Sequence, residues 1–159
     1  MIQKKQKIPL LIICRKAEMK IIKESFPKYK NFNWLTIIHA KKNELSKYYN
    51  QARLAIIPKI KIAYNELSLS FKILEYLSYG LPIVASDNFE QIKLIKENEL
   101  GINIGSTKES YSKNIIRLYN DTELLNKYHN NSLKFIKNKG LWKHRVNKII
   151  NTYRKKNDA

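Results

Sequence analysis

Lys72 and Glu75 stand three residues apart inside a segment that otherwise seeks the core, Ser68 to Asp87, SLSFKILEYLSYGLPIVASD. Their spacing puts both charges in the first turns of a predicted helix. A helix N-terminus presents unpaired backbone N–H groups and the positive end of a dipole, which is where α/β domains hold phosphate. Lys72 adds a full positive charge there, and with the backbone amides around Ser70 and Phe71 it forms a candidate phosphate cradle. Glu75 is acceptor-only and can take two donors at once. The ordinary alternative is an i, i+3 ion pair on a solvated face, contributing about 0.2–0.5 kcal/mol. Both readings stand at this level.

The segment around these charges reads as a helix, a tight stop and a buried strand. Ser70 can cap the helix start through its side chain. Phe71, Leu74, Leu77 and Ser78 recur at helical spacing and define the expected buried face. Gly80 suits the left-handed residue that closes a helix, and Pro82 forbids continuation. The run IVAS is short and apolar on both faces, as a strand covered on both sides must be.

Such units recur along the chain. Strands are expected at 8–14, 34–38, 53–58, 82–86 and 101–104, with helices at 17–26, 43–51, 70–79 and 88–97. Three helical segments follow, at 107–119, 122–138 and 141–155. This alternation predicts an α/β fold, a Rossmann-like parallel sheet of about five strands with helices on both faces and a helical C-terminus. Asp87 and Ser106 are expected to cap their helices, each with an acid three positions on. With 4 Gly and 4 Pro there is no flexible linker, so residues 1–159 are expected to form one domain.

The order of these pieces resembles the group 1 glycosyltransferases, a nucleotide-sugar-dependent family with the GT-B fold. KILEYLSYGLPIVASD is similar to the family's signature of Glu, an apolar run, Gly, Pro, Val and Ala-Ser-Asp. Leu94-Ile95 and Glu97 through Gly101 fall where the family has an apolar pair, an acidic turn and a glycine. NELSKYYNQARLAIIPK upstream resembles the family's stretch of Glu-Leu, Tyr, an apolar strand and Pro. Trp142, Arg145 and Tyr153 resemble its aromatic-bearing last helix.

The resemblance implies that Glu75 accepts hydrogen bonds from the donor's ribose hydroxyls, with Lys72 at the diphosphate. Many family members carry an earlier Glu eight positions before this one. Leu67 occupies that place here and Glu66 is its neighbour, a candidate for the catalytic role. Ser68, Lys72 and Glu75 also fit the Ser-x-x-x-Lys-x-x-Glu pattern of some branches. The family's Gly-rich turn after the first strand is replaced by Arg15 and Lys16, candidates for a phosphate or base contact at a strand's carboxyl end. Phe89-Glu90 stands where the family has a glycine pair, and Lys93 where it has a later Glu. The family opens its donor domain with a strand bearing a Gly-Arg pair, and this chain begins at what would be the second strand. The resemblance thus implies the C-terminal, donor-binding half of a glycosyltransferase: a fragment, half of a split enzyme with an N-terminal acceptor-domain partner chain, or a degenerate relative.

Composition constrains the partners. The chain carries 31 Lys+Arg against 13 Asp+Glu, a formal charge of +18, which draws nucleotides, nucleic acid or anionic lipid. The Lys, Asn, Ile and Tyr bias of an AT-rich genome would produce the same balance. A non-catalytic basic module for nucleic acid or anionic surfaces is therefore the competing class, although no recognised nucleic-acid motif occurs. Cys14 is the one cysteine, placed in an apolar strand-like run, which excludes a disulfide framework and suits a reducing, cytoplasmic compartment. His39, His129 and His144 show no ligand spacing, and Asp87, Asp121 and Asp158 form no Asp-x-Asp motif. No metal or other cofactor is expected, and the metal-dependent GT-A class is disfavoured. The last helix gathers Leu141, Trp142, Val146, Ile149, Ile150 and Tyr153 on one side, expected to pack on this domain or a neighbour. Lys143, Arg145, Lys148, Arg154 and Lys155 lie mostly on the other, either solvated or set against an anionic membrane, the inner face in a cytoplasmic protein.

Overall fold

The apolar run at the head of the chain becomes β1 (Leu10–Ile13), which pairs in parallel with β2 (Leu35–Ile38), Leu10 opposite Leu35 and Ile13 opposite Ile38. The computed structural model describes residues 2, 6–58, 68–105 and 107–157. Between these strands lie α1 (Lys16–Ser25) and a 3-10 turn at Pro27–Asn31 that periodicity did not single out. A second 3-10 turn (Lys42–Glu44) leads into α2 (Leu45–Tyr49), so the helix expected at 43–51 is split and shorter. Met1–Gln51 forms one compact unit. Its strands are only half-buried, and Cys14 follows β1 rather than lying inside a buried strand.

Ala52–Ala159 forms the second unit. Here β3 (Ala55–Ile57), β4 (Ile83–Ser86) and β5 (Gly101–Ile104) make a parallel sheet in the order β3-β4-β5. The five expected strands are all present, hydrogen-bonded as a pair and a triplet among the described residues. Ile83 pairs with Ala55 on one side and with Gly101 on the other. A Cβ at Gly101 would run into the Ile83 backbone, so glycine is what lets β5 approach β4.

Helix α3 (Phe71–Ser78) packs on β4, α4 (Phe89–Glu97) packs on β4 and β5, and α5 (Lys108–Asn120) packs on β5. Every residue of β4 is buried, so both faces of the sheet are covered there. The core comprises Ile57, Ile73, Leu77, Ile83, Val84, Ile95, Leu100, Ile104 and Leu118 with their neighbours. Helix α6 (Thr122–Phe135) packs on α3 and α5, and a π turn at Ile136–Gly140 precedes α7 (Trp142–Asn157). The helix expected at 122–138 therefore ends as α-helix at Phe135.

Three helix starts among the described residues are capped by side chains. Asn88 Oδ1 accepts from the Gln91 N–H at 3.3 Å, Thr107 Oγ1 from Ser110 at 3.1 Å, and Asp121 Oδ1 from Leu124 at 2.9 Å. Asp87 and Ser106 are thus not the caps expected; the caps are Asn88 and Thr107, and Ser106 lies outside the described residues. A cap must be extended and sit three residues before the N–H it accepts from, which Asn88 satisfies at φ −149° and ψ 126°. Glu90 and Glu109 fall in the first turns, where their charge complements the dipole.

Candidate functional site

The start of α3 holds Lys72 and Glu75, two of the charged residues that the sequence singles out. Lys72 Nζ lies 2.6 Å from Glu75 Oε2, the side chains 54% and 32% exposed. Ser70 holds the N-cap position, but its side chain makes no capping bond; its carbonyl accepts from the Ile73 N–H at 3.0 Å instead. The helix docks through Ile73 and Leu77, both fully buried, while Phe71 is 70% exposed and Ser78 is exposed. The buried face is therefore turned from the one expected on Phe71, Leu74, Leu77 and Ser78. Ile73 and Leu77 are the i, i+4 pair that meets β4 and α6, and this leaves Phe71 outside.

That rotation gives the site its form. Phe71 stacks on Trp142 of α7 at 6.5 Å between ring centroids, and the Arg145 guanidinium lies 5.4 Å from the centre of the Trp142 ring. An exposed aromatic pair, two cations and a half-exposed carboxylate thus share the start of α3. The aromatic wall had no local signal, because Phe71 and Trp142 belong to helices separated by most of the second unit. Burial holds the Tyr76 hydroxyl above the usual phenol range; Lys72 pulls it back and Glu75 pushes it up. Ser68 and Ser70 lie just before the helix, half-buried. At the other end, Gly80 adopts φ +68° and hands the chain through Leu81 and Pro82 into β4, as expected of the stop.

Arg15 and Lys16 belong to the first unit, at the end of β1. Arg15 is committed to Glu18: its Nε and Nη2 donate to Glu18 Oε1 at 2.9 and 2.5 Å, and its backbone N–H donates to Oε2 at 3.0 Å. This pairing, through the guanidinium first, holds the Glu18 carboxyl below the usual range and raises Arg15. Lys16 is exposed. His39 Nδ1 lies 3.1 Å from the Cys14 carbonyl, which places it as a donor that ties the end of β2 to the end of β1. Burial pushes the Cys14 thiol up, with the Glu18 carboxylate adding to the effect and Lys23 opposing it.

Glu66, the candidate catalytic residue, lies with Leu67 outside the described residues. Among the described residues no group of three or more His, Cys, Asp or Glu side chains could hold a metal ion. A surface depression of about 410 Å³ is lined by His144, Asn147, Lys148, Asn151 and Thr152 along α7. It contains none of the residues at the start of α3, and a groove along one exposed helix lacks the converging groups that mark a binding site. Chemistry, not volume, singles out α3.

A sequence model of the family described as glycosyl transferases group 1 matches residues 1–135. No curated protein matches the chain. Among solved structures, the chain is similar to WaaG, described as a glycosyltransferase involved in lipopolysaccharide biosynthesis, with a TM-score of 0.63 at 11% sequence identity. The match covers 87% of this chain and 46% of that one, so the chain spans about half the length of the structure it matches.

Proposed function

As a member of the group 1 glycosyl transferases, this chain, we propose, supplies the part of a glycosyltransferase that binds a nucleotide-sugar donor at the start of α3. The observation that carries this is the 2.6 Å juxtaposition of Lys72 and Glu75 on the α3–Gly80–β4 unit, in a chain whose family and fold belong to such enzymes. Lys72 and the first-turn amides would offset the charge of the diphosphate. Glu75 would turn from its lysine to accept from the ribose hydroxyls. The Phe71 ring would flank the ligand, and Ser68 and Ser70 would line its approach. Arg15, once released from Glu18, and Lys16 are proposed for a phosphate or base contact within the first unit. Transfer to an acceptor would draw on groups beyond this site, Glu66 among them, and on an N-terminal acceptor-domain partner chain in a split enzyme.

The test is calorimetric titration of UDP and GDP into the wild type, Glu75→Ala and Lys72→Ala, with a single-stranded oligonucleotide at matched salt as the control. Loss of a charged hydrogen-bonding group should lower nucleotide affinity by about 1.5–3 kcal/mol. Stability should move by less than about 0.5 kcal/mol, because the Lys72–Glu75 pair lies at the surface, where solvent screens it. A plain surface ion pair would leave both titrations unchanged. Preference for the oligonucleotide would favour a basic binding module instead.

A further inference from the structure

Lys72 is the second residue of α3, where the positive end of the helix dipole disfavours a cation. Helices α1, α4, α5 and α6 carry Glu18, Glu90, Glu109 and Glu123 in their first turns, whereas α3 has no acid there. The order of the two charges is also the weaker one, since a helix gains more when the acid precedes the lysine. Helix stability therefore does not account for where Lys72 and Glu75 stand. What the pair does achieve is mutual neutralisation. Lys72 Nζ lies 2.6 Å from Glu75 Oε2, a charge-assisted contact between the two groups proposed above for the ligand. Solvent screens this pair, so it is weak enough to be exchanged for a better partner.

We propose that the Lys72–Glu75 ion pair is an autoinhibitory latch, which a ligand opens only when it carries a diphosphate and a ribose together. The diphosphate bears more than one negative charge and outcompetes a single carboxylate for Lys72. Glu75, parted from its lysine, then turns to the ribose hydroxyls. Those hydroxyls are neutral, and by themselves they offer the carboxylate less than the ammonium does. The two halves of the ligand are thus coupled: the diphosphate raises the affinity for the ribose, and the ribose raises that for the diphosphate by the same factor. A nucleoside without phosphates meets a closed latch, and the site rejects it by more than the lost phosphate contacts. The latch rests on the proposed donor-binding roles of Lys72 and Glu75 and adds how the empty site regulates its own occupancy.

The test is titration of uridine and of UDP into the full chain, followed by amide NMR shifts, with guanosine and GDP in their place if the wild type prefers GDP. The variants are Lys72→Met, Lys72→Arg and Glu75→Ala. Lys72→Met removes the charge and keeps the length of the side chain. It should bind UDP more weakly than the wild type and yet bind uridine more tightly, by about two- to fivefold, the strength of a surface ion pair. Lys72→Arg keeps the latch and should bind uridine as weakly as the wild type. Raising the salt from about 0.05 M to about 0.5 M should tighten uridine binding to the wild type and leave Lys72→Met unchanged. Glu75→Ala should lose affinity for both ligands. Uridine binding to Lys72→Met that is no tighter than to the wild type, undetectable binding included, would overturn the latch. A UDP affinity that still fell in Lys72→Met and Glu75→Ala would then leave donor binding at α3 standing. Affinities for both ligands that neither substitution moves would overturn the latch and the donor site together.

Discussion

Gly80→Ala is the substitution that most directly probes how the candidate site is held. Gly80 ends α3 at φ +68°, and its carbonyl accepts from His129 Nδ1 of α6 at 2.9 Å. A Cβ at this position would meet Cε1 and Nδ1 of the same ring. Placing alanine in the left-handed region costs about 1–2 kcal/mol. Displacing the ring breaks its hydrogen bond, which costs about 0.5–1.5 kcal/mol. With some loss of α3–α6 packing, the total comes to about 2–4 kcal/mol, a large share of a typical domain's stability. Urea denaturation followed by circular dichroism should show a lower midpoint at an unchanged slope. The same substitution made in a His129→Ala background meets no ring and should cost only the backbone part, about 1–2 kcal/mol. The coupling between the two sites should therefore reach about 1 kcal/mol. A cost below about 0.5 kcal/mol, or an equal cost in both backgrounds, would refute the contact on which the argument rests.

Gln91 is fully buried, and neither its Oε1 nor its Nε2 has a hydrogen-bond partner. Gln91→Met keeps the shape and removes both polar atoms, so it should raise the stability by about 1–3 kcal/mol, read from the denaturation midpoint; a fall would show that the amide is satisfied in solution. The chain covers 46% of the glycosyltransferase structure that it matches. On the proposed reading the 159-residue chain alone should therefore turn over a nucleotide sugar only slowly, since catalysis needs donor and acceptor held in attack geometry. Product assays with and without a candidate acceptor-domain chain check this, and rapid transfer by the purified chain alone would contradict it.

Much of the fold was legible because its signals are local. Each of the five strands is a short apolar run, and the described structure places each within a residue or two of its expected bounds. Gly80 and Pro82 announced a stop through backbone sterics alone, and the structure places the turn there. Lys72 and Glu75 were legible as a pair because helical spacing forces i and i+3 together. Their choice of each other in the structure leaves ligand binding to experiment. What the residue pattern left open depended on partners distant in the chain. A helix with apolar residues on most sides, such as FKILEYLS, carries no mark of which side meets the core. That was settled by β4 and α6 closing on Ile73 and Leu77, and it turned Phe71 outward onto Trp142. The caps moved from Asp87 to Asn88 because a cap is defined by backbone angles that follow from where β4 ends. Periodicity identified the stripe on α7 correctly, but burial is a property of the surroundings. Only the tertiary structure could show that Trp142, Ile149 and Tyr153 stay largely exposed among the described residues, because whether an apolar face is buried depends on what the rest of the chain brings against it.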